Sequence, residues 1–469
     1  MGLGLLLLTS IGKENIYLST KPEITFFKIL YKKYTNFSME ATPQFFKSTP
    51  DFGRKCSVII SKNADLLGMT YLYIELPDIN SDLHFKWVDK IGIALINNIE
   101  IEIEGSIIDK HYGDWLNIWF ELTKSYGHNK SYNNIIGNKQ YLINYSYSKK
   151  SNIIYIPLCF WFCLDTGLAI PLISLVNSDI KINVEFNDFN SCYKVSPHSY
   201  IIINENICCY SIGEKLIQNN IIIGEFISFD PLNQRLNFNP IRGSFTNNLS
   251  IIGSISNISV TMQQSVIIEN TNNLQYNIPS LLNAYLLVNY IYIDNYERVN
   301  FINKSHEYVI QVVQTLPDQI INSANNIYKL SLYNPIKLIV WRCILLSNLS
   351  SAVNDIFNYG ENLISKNLVV INSINRMNLN SIIYYTNLQK YQNDLNSIQK
   401  GIYMYSFALH PKNLQPSGSI NFSKIDDAYI QLTMNKNINY KNPVNFKCYA
   451  IQYNLFRAIN GIGGLYFNN

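Results

Sequence analysis

Few side chains in this sequence could do chemistry. Asp109, His111 and Asp114 fall close together in Asp109-Lys110-His111-Tyr112-Gly113-Asp114-Trp115, and a histidine between carboxylates is raw material for acid–base catalysis. No serine or cysteine nucleophile motif accompanies them and no H-E-x-x-H occurs, so a structural loop is the expectation. Glu100, Glu102 and Glu104 alternate with Ile99, Ile101 and Ile103. Three carboxylates on one strand face could hold a hard cation such as Ca²⁺. Glu100 and Glu102 with Asp109 could also be read as the paired carboxylates of a sugar-cleaving sandwich. The expectation is plainer: the isoleucines face a core, and the glutamates face away, solvated or paired with bases across the sheet. The eight cysteines, Cys56, Cys159, Cys163, Cys192, Cys208, Cys209, Cys343 and Cys448, contain no C-x-x-C pair and read as buried free thiols in a reducing compartment. Gly461, Gly463 and Gly464 lack the G-x-G-x-x-G spacing of a phosphate loop and are read as lying after the last fold element. No catalytic, cofactor-binding or metal-ligating residue is assigned, and no cofactor.

The elements that would have to position these groups read as β. Ile and Tyr favour strands and Asn favours turns, and all three are over-used. The 469 residues allow two ordinary domains. Only 15% are charged and 47% are hydrophobic, against about 25% charged in an average globular chain. A low charge fraction suits a protein that hides much of its surface in an assembly. The net charge of +4 argues against direct nucleic-acid binding, despite basic residues interleaved with Tyr31 and Tyr34. Leu3–Leu8 has neither the basic flank nor the cleavage site of a leader, and no run approaches the ~20 apolar residues of a membrane span. A soluble cytoplasmic protein with an apolar N-terminal arm is expected.

Along the chain, Ile24 and Phe26 alternate as a strand entering a core, then Phe27, Leu30, Tyr31 and Tyr34 recur at helical spacing. Short strands follow at Cys56–Lys62, Met69–Leu76, Ile99–Glu104 and Ile180–Phe186, with Trp87–Ile96 either helical or extended. Tyr126–Lys150 is polar and reads as a loop. Asn187–Pro279 reads as an insertion with strands of its own that can be shortened without losing the fold. Leu281–Asp294 is again strand-like. Asn295–Lys304 is polar and reads as a linker. Val309–Val313, a proline-started strand through Trp341, a loop-rich Asn354–Lys400 and a closing strand Ala428–Met434 make the second half.

Several of these stretches resemble one family. Glu23-Ile24-Thr25-Phe26-Phe27-Lys28, then Tyr31 and Thr35-Asn36-Phe37, is similar to the N-terminal signature of the major capsid proteins of nucleocytoplasmic large DNA viruses; Lys32, Lys33 and Tyr34 stand where that family has a basic pair and a histidine. Lys86-Trp87-Val88 through Asp109–Trp119, Pro157–Ile173, Asn334–Trp341, Gln415-Pro416-Ser417-Gly418 with Asn421–Asp426, and Tyr449–Leu465 resemble further blocks, in order. The family commonly has consecutive arginines after the acidic residue of the linker; here Arg298 is followed by Val299 and Asn300, which puts a charge contact there in question.

The resemblance implies an all-β chain of two tandem eight-stranded antiparallel jelly rolls with long loop insertions. Residues 1–23 would be an N-terminal arm, 24–294 the first roll (with 187–279 inserted), 295–304 the linker and 305–469 the second roll. It implies a structural, non-enzymatic major capsid protein whose homotrimers are pseudo-hexagonal capsomers of an icosahedral virion shell. Partners would be other copies of itself, minor capsid proteins and an inner viral membrane beneath the shell, with assembly in the host cytoplasm. The alternative within the fold is a scaffold or minor capsid paralogue on the viral membrane. Asn-x-Ser sites at Asn36, Asn129, Asn144, Asn248, Asn257, Asn303, Asn348 and Asn421 raise glycans as a further partner.

Overall fold

A computed structural model describes residues 3–195, 199–205, 210, 214–231, 234–241, 244–267, 279–349, 354–360, 363–376, 381–396, 399–436, 438–440 and 442–467. Sixteen of the described strands form the main ladders of its two bodies, with short strands added at their edges. The first eight are β1 (Phe37–Phe45), β2 (Lys55–Ile59), β3 (Leu66–Leu76), β4 (Ile96–Ile103), β5 (Ser106–Tyr112), β6 (Asn152–Pro157), β7 (Ile180–Phe186) and β8 (Asn283–Ile293). They form two antiparallel sheets, ordered β1-β8-β3-β6 and β2-β7-β4-β5. The second eight are β9 (His306–Thr315), β10 (Asn325–Lys329), β11 (Pro335–Leu345), β12 (Ile364–Ile371), β13 (Ile374–Asn375), β14 (Ile402–Ser406), β15 (Ala428–Met434) and β16 (Val444–Ile459). Their sheets run β9-β16-β11-β14 and β10-β15-β12-β13. Adding eight to every label of the first roll gives the second: two jelly rolls of one topology, with no repeat visible in the sequence.

The rolls are buried against each other. Along β11 the side chains alternate between two apolar environments. Ile339, Trp341 and Cys343 enter the second roll's own core, while Leu338 and Val340 join a core continuous with the first roll. Tyr449 and Ile451 on β16 do the same. A sheet covered on both faces needs near-continuous hydrophobic strands, which is what Lys337–Trp341 supplies apart from its lysine. On the first-roll side the cover is the helix Gly113–Thr123 and the short helix Trp161–Leu164. Gly113 is required where that helix leaves β5, since a Cβ there would stand 2.3 Å from the Ile96 carbonyl oxygen.

Several sequence expectations are corrected. Pro22–Asn36 holds no strand and enters no core. Ile24 and Phe26 are exposed, and the first strand begins at Phe37, where antiparallel pairing to Ile293 begins. The short alternation at Ile24–Phe26 has no partner strand to bury it. Tyr126–Lys150 contains helices Asn129–Ile135 and Gln140–Ile143 and a strand Ser146–Lys149, because Tyr132, Ile136 and Leu142 are drawn into the core. Asn295–Asn303 is a helix, capped by the Asp294 carboxylate on the Asn295 amide. Asn354–Lys400 contains β12 and β13. The C-terminal glycines are part of the fold: Ile462–Leu465 pairs back on β16 through Asn460-Gly461, both at positive φ (53° and 84°), as a two-residue type I′ hairpin requires.

The insertion is a domain in miniature. Strands Ser199–Ile203, Lys215–Gln218, Ile221–Asp230, Arg235–Pro240, Ser250–Gly253 and Ser259–Ile267 close into a barrel around Ile201, Leu216, Phe226, Leu236, Phe238 and Ile251. Its boundary differs from the sequence reading. Phe189, Cys192 and Tyr193 belong to the first roll's core, and Tyr193–Val195 pairs with the strand Ile79–Trp87. Residues 187–195 are therefore part of the roll.

Candidate functional site: the seam between the rolls

Asp109, His111 and Asp114 converge where the two rolls meet, on a strand and a helix rather than on a loop. Asp109 and His111 lie on β5, both pointing inward because they are two residues apart on one strand, and Asp114 lies in the first turn of the following helix. The Asp109 carboxylate accepts the backbone N–H of Val313, from β9, at 3.1 Å. His111 Nε2 lies 3.0 Å from its other oxygen, and the imidazole stacks on Phe160 with ring centroids 4.7 Å apart.

Asp114 is more heavily bonded. Oδ2 accepts Arg342 Nε at 2.8 Å and the Tyr449 hydroxyl at 2.9 Å; Oδ1 accepts the Tyr359 hydroxyl at 2.5 Å. All three donors come from the second roll. Burial alone would raise this carboxyl, but the Arg342 guanidinium and the bonds from Tyr359 and Arg342 outweigh it and hold the group below its ordinary value. Burial pushes the Tyr359 and Tyr449 hydroxyls well above theirs, so they stay neutral donors. Arg342 also bonds the Asn445 carbonyl at 3.1 Å. Around the cluster, Trp115 packs on Tyr449 and Trp161 on Phe456. Asn117 donates to the Tyr359 hydroxyl at 2.9 Å, and Asn354 donates to the carbonyls of Asn190 and Tyr193, each at 2.7 Å.

These contacts fill three acceptor positions of Asp114 with second-roll donors, and the carboxylate, its side chain 17% exposed, lies in the wall of a small surface pocket shared with Tyr112, Arg342 and Lys447. The arrangement is a buried, charge-assisted clamp that fixes one roll's orientation on the other. A second, smaller tie fixes the inter-roll helix to the first roll. Asp65, buried in the first roll, accepts the Ile293 amide at 2.9 Å and pairs with Arg298 Nε at 3.0 Å. The charge contact placed in question by the missing consecutive arginines is thus made by Arg298 alone.

The remaining candidates are dispersed. Glu100 is 3% exposed and paired with bases across the sheet, the second of the two arrangements expected of its face; Lys110 on the adjacent β5 and Lys55 on β2, beyond β7, reach it at 2.7 and 2.9 Å. Burial raises its carboxyl, and these two lysines more than reverse the effect. Glu102 accepts Lys181 at 3.0 Å, and its carboxyl is lowered chiefly by that bond. Glu104 sits in the β4–β5 turn and accepts the Asp179 amide. Glycoside hydrolysis needs a carboxyl with a raised pKa; Glu100 and Glu102 are both shifted the opposite way. Among the described residues no three of His, Cys, Asp or Glu converge as metal ligands. Burial pushes the Cys163, Cys192 and Cys343 thiols up to about 12, which leaves them protonated and unreactive. Cys208 and Cys209 lie outside the described residues. The sequence reading missed Arg342, Tyr359, Tyr449 and Lys337. An arginine and a lysine on otherwise apolar β11 were the available signal.

Comparison with known proteins agrees with this architecture. A family model described as "Major capsid protein N-terminus" matches residues 25–212, and one described as "Large eukaryotic DNA virus major capsid protein" matches residues 297–464. "Probable capsid protein 4" of Acanthamoeba polyphaga mimivirus is 32% identical over 99% of both chains. The major capsid protein of Pyramimonas orientalis virus is 31% identical over 100% of both. Among solved structures, the Faustovirus major capsid protein shares the fold with a TM-score of 0.69 at 12% identity, covering 95% of this chain and 94% of that one. The quasi-atomic model of the PBCV-1 virus capsid does so at 0.65 and 22%, covering 95% and 100%. With its paired rolls, its seam and near-complete alignment to these relatives, this chain belongs to the major capsid protein family of large eukaryotic DNA viruses.

Proposed function

We propose that the chain is the tile of an icosahedral shell: three copies assemble into a pseudo-hexagonal capsomer, and capsomers assemble into the virion wall. The observation that carries this is the pair of topologically identical rolls held at fixed orientation by the Asp114 clamp. Two equivalent rolls per chain become six around a threefold axis, so a closed trimer presents near-sixfold edges for lateral packing. The domain division that serves this role is an arm to Asn36, a first roll to Ile293 with the barrel inserted in it, a nine-residue helix, and a second roll from His306. Minor capsid proteins between capsomers, an inner membrane under the shell, glycans on exposed Asn-x-Ser sites and assembly in the host cytoplasm complete the reading. The test is the mass of the purified chain in solution by light scattering, followed by electron microscopy of particles. A trimer, and hexagonal arrays with one chain per third of a tile, are expected. A stable monomer at micromolar concentration overturns the proposal.

A further inference from the structure

The arm, residues 3–36, is the least buried apolar segment of the described chain. Leu3, Leu5, Leu6, Leu7 and Leu8 are exposed on every side of the helix Leu3–Thr9, and Phe26 and Phe27 are 89% and 97% exposed. Among the described residues, the hydrogen bonds of residues 3–35 go to other arm residues. A helix that is apolar all round has no face suited to water. At seven residues it is roughly 10 Å long, too short to span a bilayer, and leaves interfacial insertion as its membrane mode. Behind it come aromatics, Phe26, Phe27, Tyr31 and Tyr34, interleaved with Lys28, Lys32 and Lys33, a composition that sits at headgroup level. From Met1 to Asn36 the sequence sets Lys13, Lys21, Lys28, Lys32 and Lys33 against Glu14 and Glu23.

The root of the arm points the same way. Asn36 is bonded to Asp294 at the start of the inter-roll helix. That helix turns Tyr296, Val299 and Ile302 outward, at 79%, 55% and 54% exposure, on one face at i, i+3, i+6 spacing. The C-terminal hairpin is tied to the same end through Gly461 and Asn177 and leaves Ile462 exposed.

We propose that residues 3–36 form a peripheral anchor that inserts the leucine helix and the aromatic side chains into an anionic lipid bilayer facing this end of the molecule. The proposal rests on the shell reading, in which one face of the tile is turned inward. The experiment is co-sedimentation of the full chain with vesicles of phosphatidylcholine alone and of phosphatidylcholine with phosphatidylserine, each at low and high salt, with trimer content measured on the same samples. Binding to the anionic vesicles is expected, weakened by salt. Replacing Lys28, Lys32 and Lys33 together by Gln should weaken it on the order of a hundredfold, about fivefold per charge. F26S/F27S should weaken it in both lipids. Deletion of residues 1–36 should abolish binding and leave the trimer intact, since the arm contributes nothing to the cores. Absence of binding by the full chain, or binding that survives the deletion, overturns the proposal while leaving the shell reading standing. Loss of the trimer on deletion also overturns it, because the arm then docks on a second copy. A full chain that binds vesicles but never forms a trimer removes the shell reading instead.

Discussion

The seam and the barrel are both additions to a jelly roll, but they are joined to it in opposite ways. At the seam the second roll turns Leu338, Val340, Tyr449 and Ile451 into the first roll's core, and a buried carboxylate of one roll takes its donors from the other. The barrel keeps its apolar residues to itself, and its first and last strands pair directly, Ser199 opposite Ile267. Its two ends are therefore neighbours, and the roll beneath is complete without it. A shared core makes two domains one mechanical body, whereas a separate core joined at adjacent ends makes a module.

The sharpest test of that contrast is a pair of excisions. Replacing 199–267 by a short Gly-Ser linker should change the stability of the remaining body by no more than about 1 kcal/mol, because closure cost grows slowly with loop length. Joining Phe186 to Leu281 should cost more than about 5 kcal/mol. It removes Phe189 and Tyr193 from the core, the Asn187 bonds to the Ala94 and Leu95 carbonyls, and the carbonyls that Asn354 grips. Denaturant unfolding of both variants decides. If they behave alike, the module boundary is wrongly drawn.

Asp114→Ala should cost about 3–5 kcal/mol by stranding the Arg342 charge in the seam. The carboxyl is lowered in the folded chain, so its contribution is complete above the ordinary value of 3.8 and is lost as pH falls through the lower folded value. Asp114→Asn should therefore flatten the acid limb of a stability–pH curve, and an unchanged limb would show that the clamp is not ionic. Ile101→Ala, at a fully buried position of β4, should cost about 2–5 kcal/mol in thermal unfolding.

Lys337 tests the seam from the other direction. Its Nζ is buried over the Trp119 and Tyr453 rings, each 5.8 Å away, with Gln311 Oε1 as its hydrogen-bond acceptor at 2.5 Å. Burial lowers its pKa from 10.5 to about 7. The unfolded chain binds the proton more tightly, so stability should rise with pH from about 7 toward 10.5 and be lowest below 7, where the buried ammonium is charged. Lys337→Met should stabilise the chain by about 1–4 kcal/mol near pH 6 and less at high pH, and a loss at both pH values would count against the charge argument. The smallest effects are expected at the two β4 glutamates. Glu100→Ala should cost about 1–2 kcal/mol, since a nearly buried acceptor of two lysines is lost. Glu102→Ala, whose pair with Lys181 is partly in water, should stay within about 0.5 kcal/mol. Equal costs would mean that the two sides of this pair of charges are equally desolvated.

Local chemistry by itself determined most of the strands. Ile180–Phe186 and Ala428–Met434 have the bounds their alternation indicates, and Ile99–Ile103 alternates inward as read, because a period of two is a property of each strand alone. The all-β class and the family resemblance were likewise written in the residues, as was the apolar character of the arm. Tertiary structure decided the rest. Whether Ile24–Phe26 is a strand depends on a partner edge, and only Phe37 onward has one. Whether Glu100 is solvated or paired depends on Lys55 and Lys110, which reach it from β2 and β5 of the same sheet. Whether Asp109, His111 and Asp114 are a loop, a catalytic group or a clamp depends on Val313, Arg342, Tyr359 and Tyr449, some two hundred or more residues away along the chain. A charged group's role is set by what desolvates and neutralises it; for Glu100 those partners come from its own sheet, for Asp114 from the other roll.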